Sequence, residues 1–214
     1  VENLDPAKHY FYESDIEDFK KFETNIDDQL KVYDITFFNI TYNVILKRIE
    51  EAKIMYKEAL AEPFDYTKDE TFNTDYDKVS YVKNKREMKE LWRKEMKFST
   101  LSNYDDLYTE EKNSKEKDST YVMKSDQEIE KEAREATLKY MDIYFNDVID
   151  DLKREDWFEV YVNTIVGEFD PHTYYLAPKS KEDFDTKMSG KREGIGARLQ
   201  KRMDYIKIVE LISG

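Results

Sequence analysis

Up to Val166 the apolar residues recur every three or four positions, the spacing of helices with one face on a core, and beyond residue 194 they alternate or run together as strands do. Ile16, Phe19, Ile26 and Leu30 form one stripe, and Ser14 with Glu17 fits a capping box, so the pattern predicts a first helix over roughly 15–30. Phe37, Phe38, Tyr42, Ile45, Ile49, Ala52, Tyr56 and Leu60 predict a second from Asp34 to Pro63, with Lys47, Arg48, Glu50 and Glu51 on its solvated face. Periodicity lapses between Pro63 and Asp77, where the expectation is a loop with Phe64, Tyr66 and Phe72 tucked inward. A third helix, about 77–101, would turn Tyr81, Met88, Leu91, Trp92 and Met96 to the core. Glu110 to Asp118 holds no apolar residue and reads as a mobile linker or exposed loop. Ser125 with Glu128 is a second capping box, opening a helix through Ile129, Ala133, Ala136, Tyr140, Ile143, Tyr144 and Val148 to about Leu152. Asp156 and Glu159 favour the amino end of a fifth helix carrying Trp157, Tyr161, Ile165 and Val166.

The helical text stops at Phe169-Asp170-Pro171-His172-Thr173-Tyr174-Tyr175, because Pro171 removes a backbone donor and biases Asp170 away from the helical region. Ser180 and Asp183 can cap a helix of one or two turns around Phe184. Residues 196–202 and 205–212 then read as a β-hairpin with Met203-Asp204 at its turn. The fold class is mainly α, an irregular multi-helix domain followed by a short β-hairpin. A hairpin alone is marginal, so the last twenty residues read as the beginning of a domain that continues past Gly214.

Charge and composition narrow what such a chain can do. A net charge of −13 in 214 residues argues against nucleic acid, which needs clustered cations to release counterions from phosphate, and against an anionic membrane surface. The 17 Tyr and 12 Phe supply enough large apolar groups to offset chain entropy. With no cysteine, disulfide and thiolate chemistry are out of reach. A chain that starts at Val1 rather than Met reads as processed or trimmed, with a secretion signal already removed.

Candidate chemistry is sparse. Asp170, His172 and Thr173 are the one cluster of acid, histidine and hydroxyl, but residues this close in an extended loop point in alternating directions and do not share a reaction centre. Their expected work is structural, with Asp170 and Thr173 closing turn hydrogen bonds beside Pro171 and His172 packing or capping a carbonyl. Two histidines, His9 and His172, and no ligand spacing around either give no metal site, and nothing calls for a cofactor. Gly194-Ile195-Gly196-Ala197 lacks the lysine and helix of a phosphate loop. It suits a loop whose bare amides approach a carboxylate, followed by a strand that accepts a peptide by edge addition, and it suits a plain glycine-flanked strand start. Tyr-rich stripes on the helices are core or groove lining.

Taken as an ordered string, the chain resembles the tail-specific, or C-terminal processing, serine proteases of bacterial envelopes. The likeness runs through Leu4-Asp5-Pro6 with Tyr10-Phe11, Ser14-Asp15-Ile16 with Phe19, Lys47-Arg48, Glu90-Leu91-Trp92-Arg93 and above all residues 169–200, including Asp183-Phe184 and Lys187-Met188-Ser189. The resemblance implies an amino-terminal helical domain over 1–168, a junction over 169–193 and the start of a PDZ domain over 194–214, with Gly194, Ile195, Gly196 and Ala197 matching the carboxylate-binding loop. It implies a periplasmic or envelope enzyme with a serine nucleophile and lysine base that cleaves proteins bearing nonpolar carboxyl termini. No residue here matches that serine or lysine, so no catalytic residue is expected in this segment. Expected partners are such substrates, an adaptor protein on the helical domain, and a second copy paired through the cut hairpin. The competing reading is a free-standing helical interaction module without enzymatic role.

Overall fold

The computed structural model describes residues 1–189, 197–202 and 205–211. Two compact units divide the chain, Val1–Asp151 and Leu152–Gly214.

The first unit is built on α3 (Thr36–Ala59) and the longer α4 (Lys85–Lys117), with α1 (Glu13–Lys20), α2 (Ile26–Lys31) and α5 (Asp126–Ile143) around them. α4 lies along α5 and against α3, and α1 reaches α3. Contacts between Thr100 and Thr137 and between Glu111 and Lys124 make α4 and α5 antiparallel. Phe38, Ile45, Tyr56, Met88, Trp92, Met96, Ile129 and Phe145 are all buried, each apolar side chain worth about 2 kcal/mol against exposure. Tyr56 and Phe145 stack at 5.0 Å, and Trp92 lies 6.2 Å from Phe145. All of these buried residues but Phe145 lie on the stripes that the helical spacing predicts, whereas Tyr140 and Val148, expected beside them, are exposed.

Before α1 the chain is pinned without regular structure. Asp5, 1% exposed, accepts hydrogen bonds from the amides of His9 (2.8 Å), Tyr10 (3.0 Å) and Phe11 (2.8 Å). Trp92 Nε1 donates to the His9 carbonyl, and Lys8 Nζ donates to the carbonyls of Tyr76 and Val79.

Several predicted elements differ. The single helix over 15–30 is two, because Phe22 and Glu23 switch to i−3 bonds and Thr24 and Asn25 favour turn geometry there. Leu30 is consequently exposed rather than on a buried stripe. α1 starts at Glu13, so Ser14 falls inside its first turn, and Asp15 Oδ2 reaches back to the Tyr12 amide in the role expected of Glu17. α2 ends with Asp34 N donating to Gln29 O and Tyr33 N to Leu30 O, which holds Tyr33 at φ 57°, a position usually given to glycine.

Arg48 and Glu51 do not sit on a solvated face. Arg48 clasps Asp15 through Nε (2.9 Å) and Nη2 (2.7 Å), bonds Glu51 through Nη1, and covers the Tyr12 ring at 4.2 Å. These bonds staple α1 to α3.

α4 begins eight residues later than predicted, behind a 3₁₀ turn (Tyr76–Lys78) and an Asn84 cap, and runs through the supposed linker to Lys117. Its last turns hold because Glu111 turns inward, accepting from Lys124 N and Tyr121 Oη, while Lys115 Nζ binds the carbonyls of Ser119 and Tyr121. The Ser125–Glu128 capping box forms as expected. α5 widens at Tyr144–Ile149 into a π-helical turn, with Asp150 N bonded to Phe145 O five residues back, and does not continue to Leu152. That wider turn carries Phe145 into the core beside Tyr56.

The loop after α3 is tethered to α4 by Glu70, which accepts from Lys97 Nζ at 2.5 Å and from Arg93. Lys97 and then Arg93 hold its carboxyl at about 2. A depressed carboxylate contributes stability above its unfolded value and loses it as pH falls, so this tether is expected to weaken between about pH 4.3 and about 2. Carboxyl-carbon NMR titration checks it, and a Glu70 midpoint in the ordinary glutamate range would contradict the tether.

In the second unit α6 (Arg154–Phe169) and α7 (Pro178–Ser189) precede an antiparallel pair, β1 (Ala197–Arg202) and β2 (Tyr205–Leu211), running from Ala197 opposite Leu211 to Arg202 opposite Tyr205 with a one-residue register shift between Arg198 and Leu199. The fold is thus mainly helical with a short β pair behind it, as expected. The expected turn at Met203-Asp204 lies outside the described residues. α7 has twelve residues instead of one or two turns, and Pro178 opens it, a first-turn position that needs no amide. Ser180 and Asp183 therefore sit inside it, and Ser180 Oγ donates to Glu159.

Candidate functional site

The first unit carries a cleft of about 580 Å³ between the segment after α3 and the facing sides of α4 and α5. α3 ends at Ala59, four residues before Pro63, and three side chains then fix the chain over the groove. Glu130 accepts from Phe64 N (3.2 Å), Arg134 Nη1 donates to the Leu60 carbonyl (2.9 Å), and Lys97 Nζ donates to the Asp65 carbonyl (2.6 Å). Arg134 and Glu130 also bond each other at 3.2 Å, one helical turn apart on α5.

Aromatic rings line the walls. Phe64 and Tyr66 lie 6.3 Å apart, Tyr66 and Tyr104 6.5 Å, and Tyr104 stacks on Tyr108 at 6.1 Å. Leu101, 45% exposed, forms part of the opening. Tyr104 Oη donates to Asp126 Oδ1. Burial, reinforced by Glu130, pushes the Tyr66 phenol up to about 12, and burial raises Tyr104 as well, so both are neutral near pH 7. The cleft offers apolar walls, neutral phenols of which the Tyr66 hydroxyl is buried without a hydrogen-bond partner among the described residues, and charges of which Glu130, Arg134 and Asp126 are engaged. It is a place to hold an uncharged group rather than to transfer a proton.

The sequence expectation had Phe64 and Tyr66 inward, and both are half-buried on this wall. Tyr104, Leu101, Glu130 and Arg134 were not anticipated. The signal was present as two i, i+4 pairs, Tyr104/Tyr108 on α4 and Glu130/Arg134 on α5, each aligned on one helix face.

In the second unit, Asp170 closes the junction turn. Its Oδ1 accepts from His172 N (2.9 Å), its Oδ2 from Thr173 Oγ1 (2.7 Å), and its carbonyl from Thr173 N (3.2 Å). The His172 amide first, then the Thr173 hydroxyl, lower the Asp170 carboxyl below the usual range. His172 is 91% exposed with Nδ1 3.3 Å from Asp170 Oδ1, and so stands in solvent beside Pro171 instead of packing. The segment that follows is held by α6 through residues the sequence reading passed over. Asn163 pairs both ways with the Tyr175 backbone, and Glu159 accepts from Ala177 N and Ser180 Oγ. Gly194, Ile195 and Gly196 lie outside the described residues, and Ala197 opens β1.

Three serine hydroxyls serve local structure, Ser125 as a cap, Ser114 and Ser189 on carbonyls of their own helices. Among the described residues no group of three or more histidine, aspartate and glutamate side chains is arranged to hold a metal, and no helix is long and apolar enough to cross a membrane.

The tail-specific protease N-terminal domain family matches residues 1–179. A tail-specific protease of Haemophilus influenzae is 26% identical over 215 residues, an alignment that covers 100% of this chain and 28% of that protein. The chain therefore spans little more than a quarter of the length of this relative.

Proposed function

The chain belongs to the tail-specific protease N-terminal domain family, and from that premise we propose that it is the non-catalytic amino-terminal segment of a serine endopeptidase. The parent enzyme, of the serine/lysine type and resident in the periplasm or cell envelope, degrades or processes proteins recognised by nonpolar carboxyl termini. This segment frames the route of the substrate and docks protein partners. Residues 194–214 open the PDZ domain of the same enzyme, with Gly194, Ile195, Gly196 and Ala197 at its carboxylate loop.

One observation carries the reading: the whole chain aligns, without a large gap in coverage, to a quarter of a tail-specific protease. The β1–β2 pair behind the glycine string fits the start of a domain completed by later strands, since Ile206, Ile208 and Leu211 stand exposed on it.

The test is cleavage of an unfolded reporter protein with an apolar carboxyl terminus, comparing this chain with the product of the longer reading frame that contains it. Cleavage by the longer protein alone is expected. Turnover by this chain alone, or by neither, would overturn the reading.

A further inference from the structure

We propose that the cleft walled by Phe64, Tyr66, Leu101 and Tyr104 binds an apolar stretch of the unfolded polypeptide that the parent protease cleaves, holding it by side chains rather than by its terminal carboxylate. The identity of the occupant as a substrate rests on the protease reading above. The existence and chemistry of the site rest on the cleft itself.

Size is the first argument. At about 580 Å³ the recess falls in the range of about 300–1,000 Å³ typical of pockets that take small ligands or side chains. A stable contact between folded proteins buries about 800 Å² on each side, far more than one recess of this kind presents. An extended chain that inserts one or two side chains fits it; a folded adaptor needs additional surface.

Electrostatics supply the second. The chain as a whole carries a net charge of −13, yet in this cleft Asp126 and Glu130 are balanced by Lys131 and Arg134. Glu130 and Arg134 are bonded to each other and to the backbone of the overlying segment, and Asp126 accepts from Tyr104. A charged occupant would have to break these bonds. An uncharged apolar one covers Leu101 and the tyrosine faces and leaves every pair intact, so the charge balance matches a neutral occupant. The phenols, neutral near pH 7, add stacking faces that tolerate many apolar side chains.

The probe is a fluorescein-labelled twelve-residue peptide of glycine and serine with a central Leu-Phe pair and an amidated end, titrated with this chain by fluorescence anisotropy. A second peptide carries Ser-Ser in place of Leu-Phe. Saturable binding of the first and none of the second is expected, and Leu101→Asp, at an exposed position the fold tolerates, is expected to weaken binding at least tenfold with an unchanged circular-dichroism melt. Leu101→Ser gives an uncharged second variant, with a smaller loss. In the parent protein Leu101→Asp is expected to lower kcat/KM for an unfolded reporter about tenfold. Equal binding of both peptides, no binding of either, or indifference to both variants would overturn the site. A parent that cleaves nothing while this chain binds the probe would overturn the substrate assignment and the protease reading together, and that pattern is distinct from failure of the cleft.

Discussion

Arg48→Ala is expected to lower the stability of the first unit by about 3 kcal/mol, read as a shift in the urea midpoint at constant slope. Arg48 is 12% exposed in its side chain and Asp15 10%, so the two exchange a bidentate pair with little water to screen it. Removing the guanidinium strands the Asp15 carboxylate in that place, with the Tyr12 amide as its remaining partner in the network, and uncovers the Tyr12 ring. Glu51 loses its cation in the same step and keeps the Tyr12 hydroxyl. The cost is that of an orphaned buried charge, so replacing both partners, Arg48→Met with Asp15→Leu, is expected to cost less than the sum of the single changes. A loss below about 1 kcal/mol for Arg48→Ala would place the pair among solvent-screened surface bridges and remove the staple from this account.

Asp5→Ala is expected to cost about 4 kcal/mol, because three neighbouring amides lose a charged acceptor and bonds of that kind are worth about 1.5–3 kcal/mol each, not fully additively. Burial pushes the Asp5 carboxyl above its usual range, further than the amides of Phe11, Tyr10 and His9 pull it down. The folded state therefore holds that proton more tightly than the unfolded one, and the stability this linkage adds is complete below the unfolded value and is lost as pH rises through the folded one. Asp5→Asn, neutral at every pH and still offering one acceptor oxygen, is expected to lose less than half as much as the alanine. Trp92 reports the change, since its indole nitrogen donates to the His9 carbonyl that the Asp5 turn positions. A Trp92 emission spectrum and urea midpoint unmoved by Asp5→Ala would refute the role.

What was legible in the sequence were interactions made within one helix. The α3 stripe from Phe37 to Tyr56 and the Ser125–Glu128 box are such local patterns, and both stand. What misled were charges whose partners lie far along the chain. Arg48 meets Asp15 thirty-three positions away, so one face of α3 that looks solvated is half closed by α1. Glu111 sits in a run with no apolar residue and is still buried, because Lys124 and Tyr121 fold back on it and extend α4 where a linker was expected. A similar limit hid the cleft, whose walls come from three elements between Pro63 and Arg134. Asn163 and Glu159 look like ordinary polar helix positions, and only the folded junction gives them the backbone of Tyr175 and Ala177 to hold. The junction turn itself was legible because Asp170, His172 and Thr173 act on one another within four residues.

On the function proposed above, this segment handles the substrate and leaves the chemistry to the rest of the enzyme. The most direct measurement places a photo-crosslinking phenylalanine analogue at Gln127, an exposed position on the cleft, in the full-length protein, and irradiates it with an unfolded substrate bound. The account predicts a covalent adduct that maps to an apolar stretch of the substrate and disappears when that stretch is changed to serine. No adduct, with cleavage proceeding normally, would contradict it.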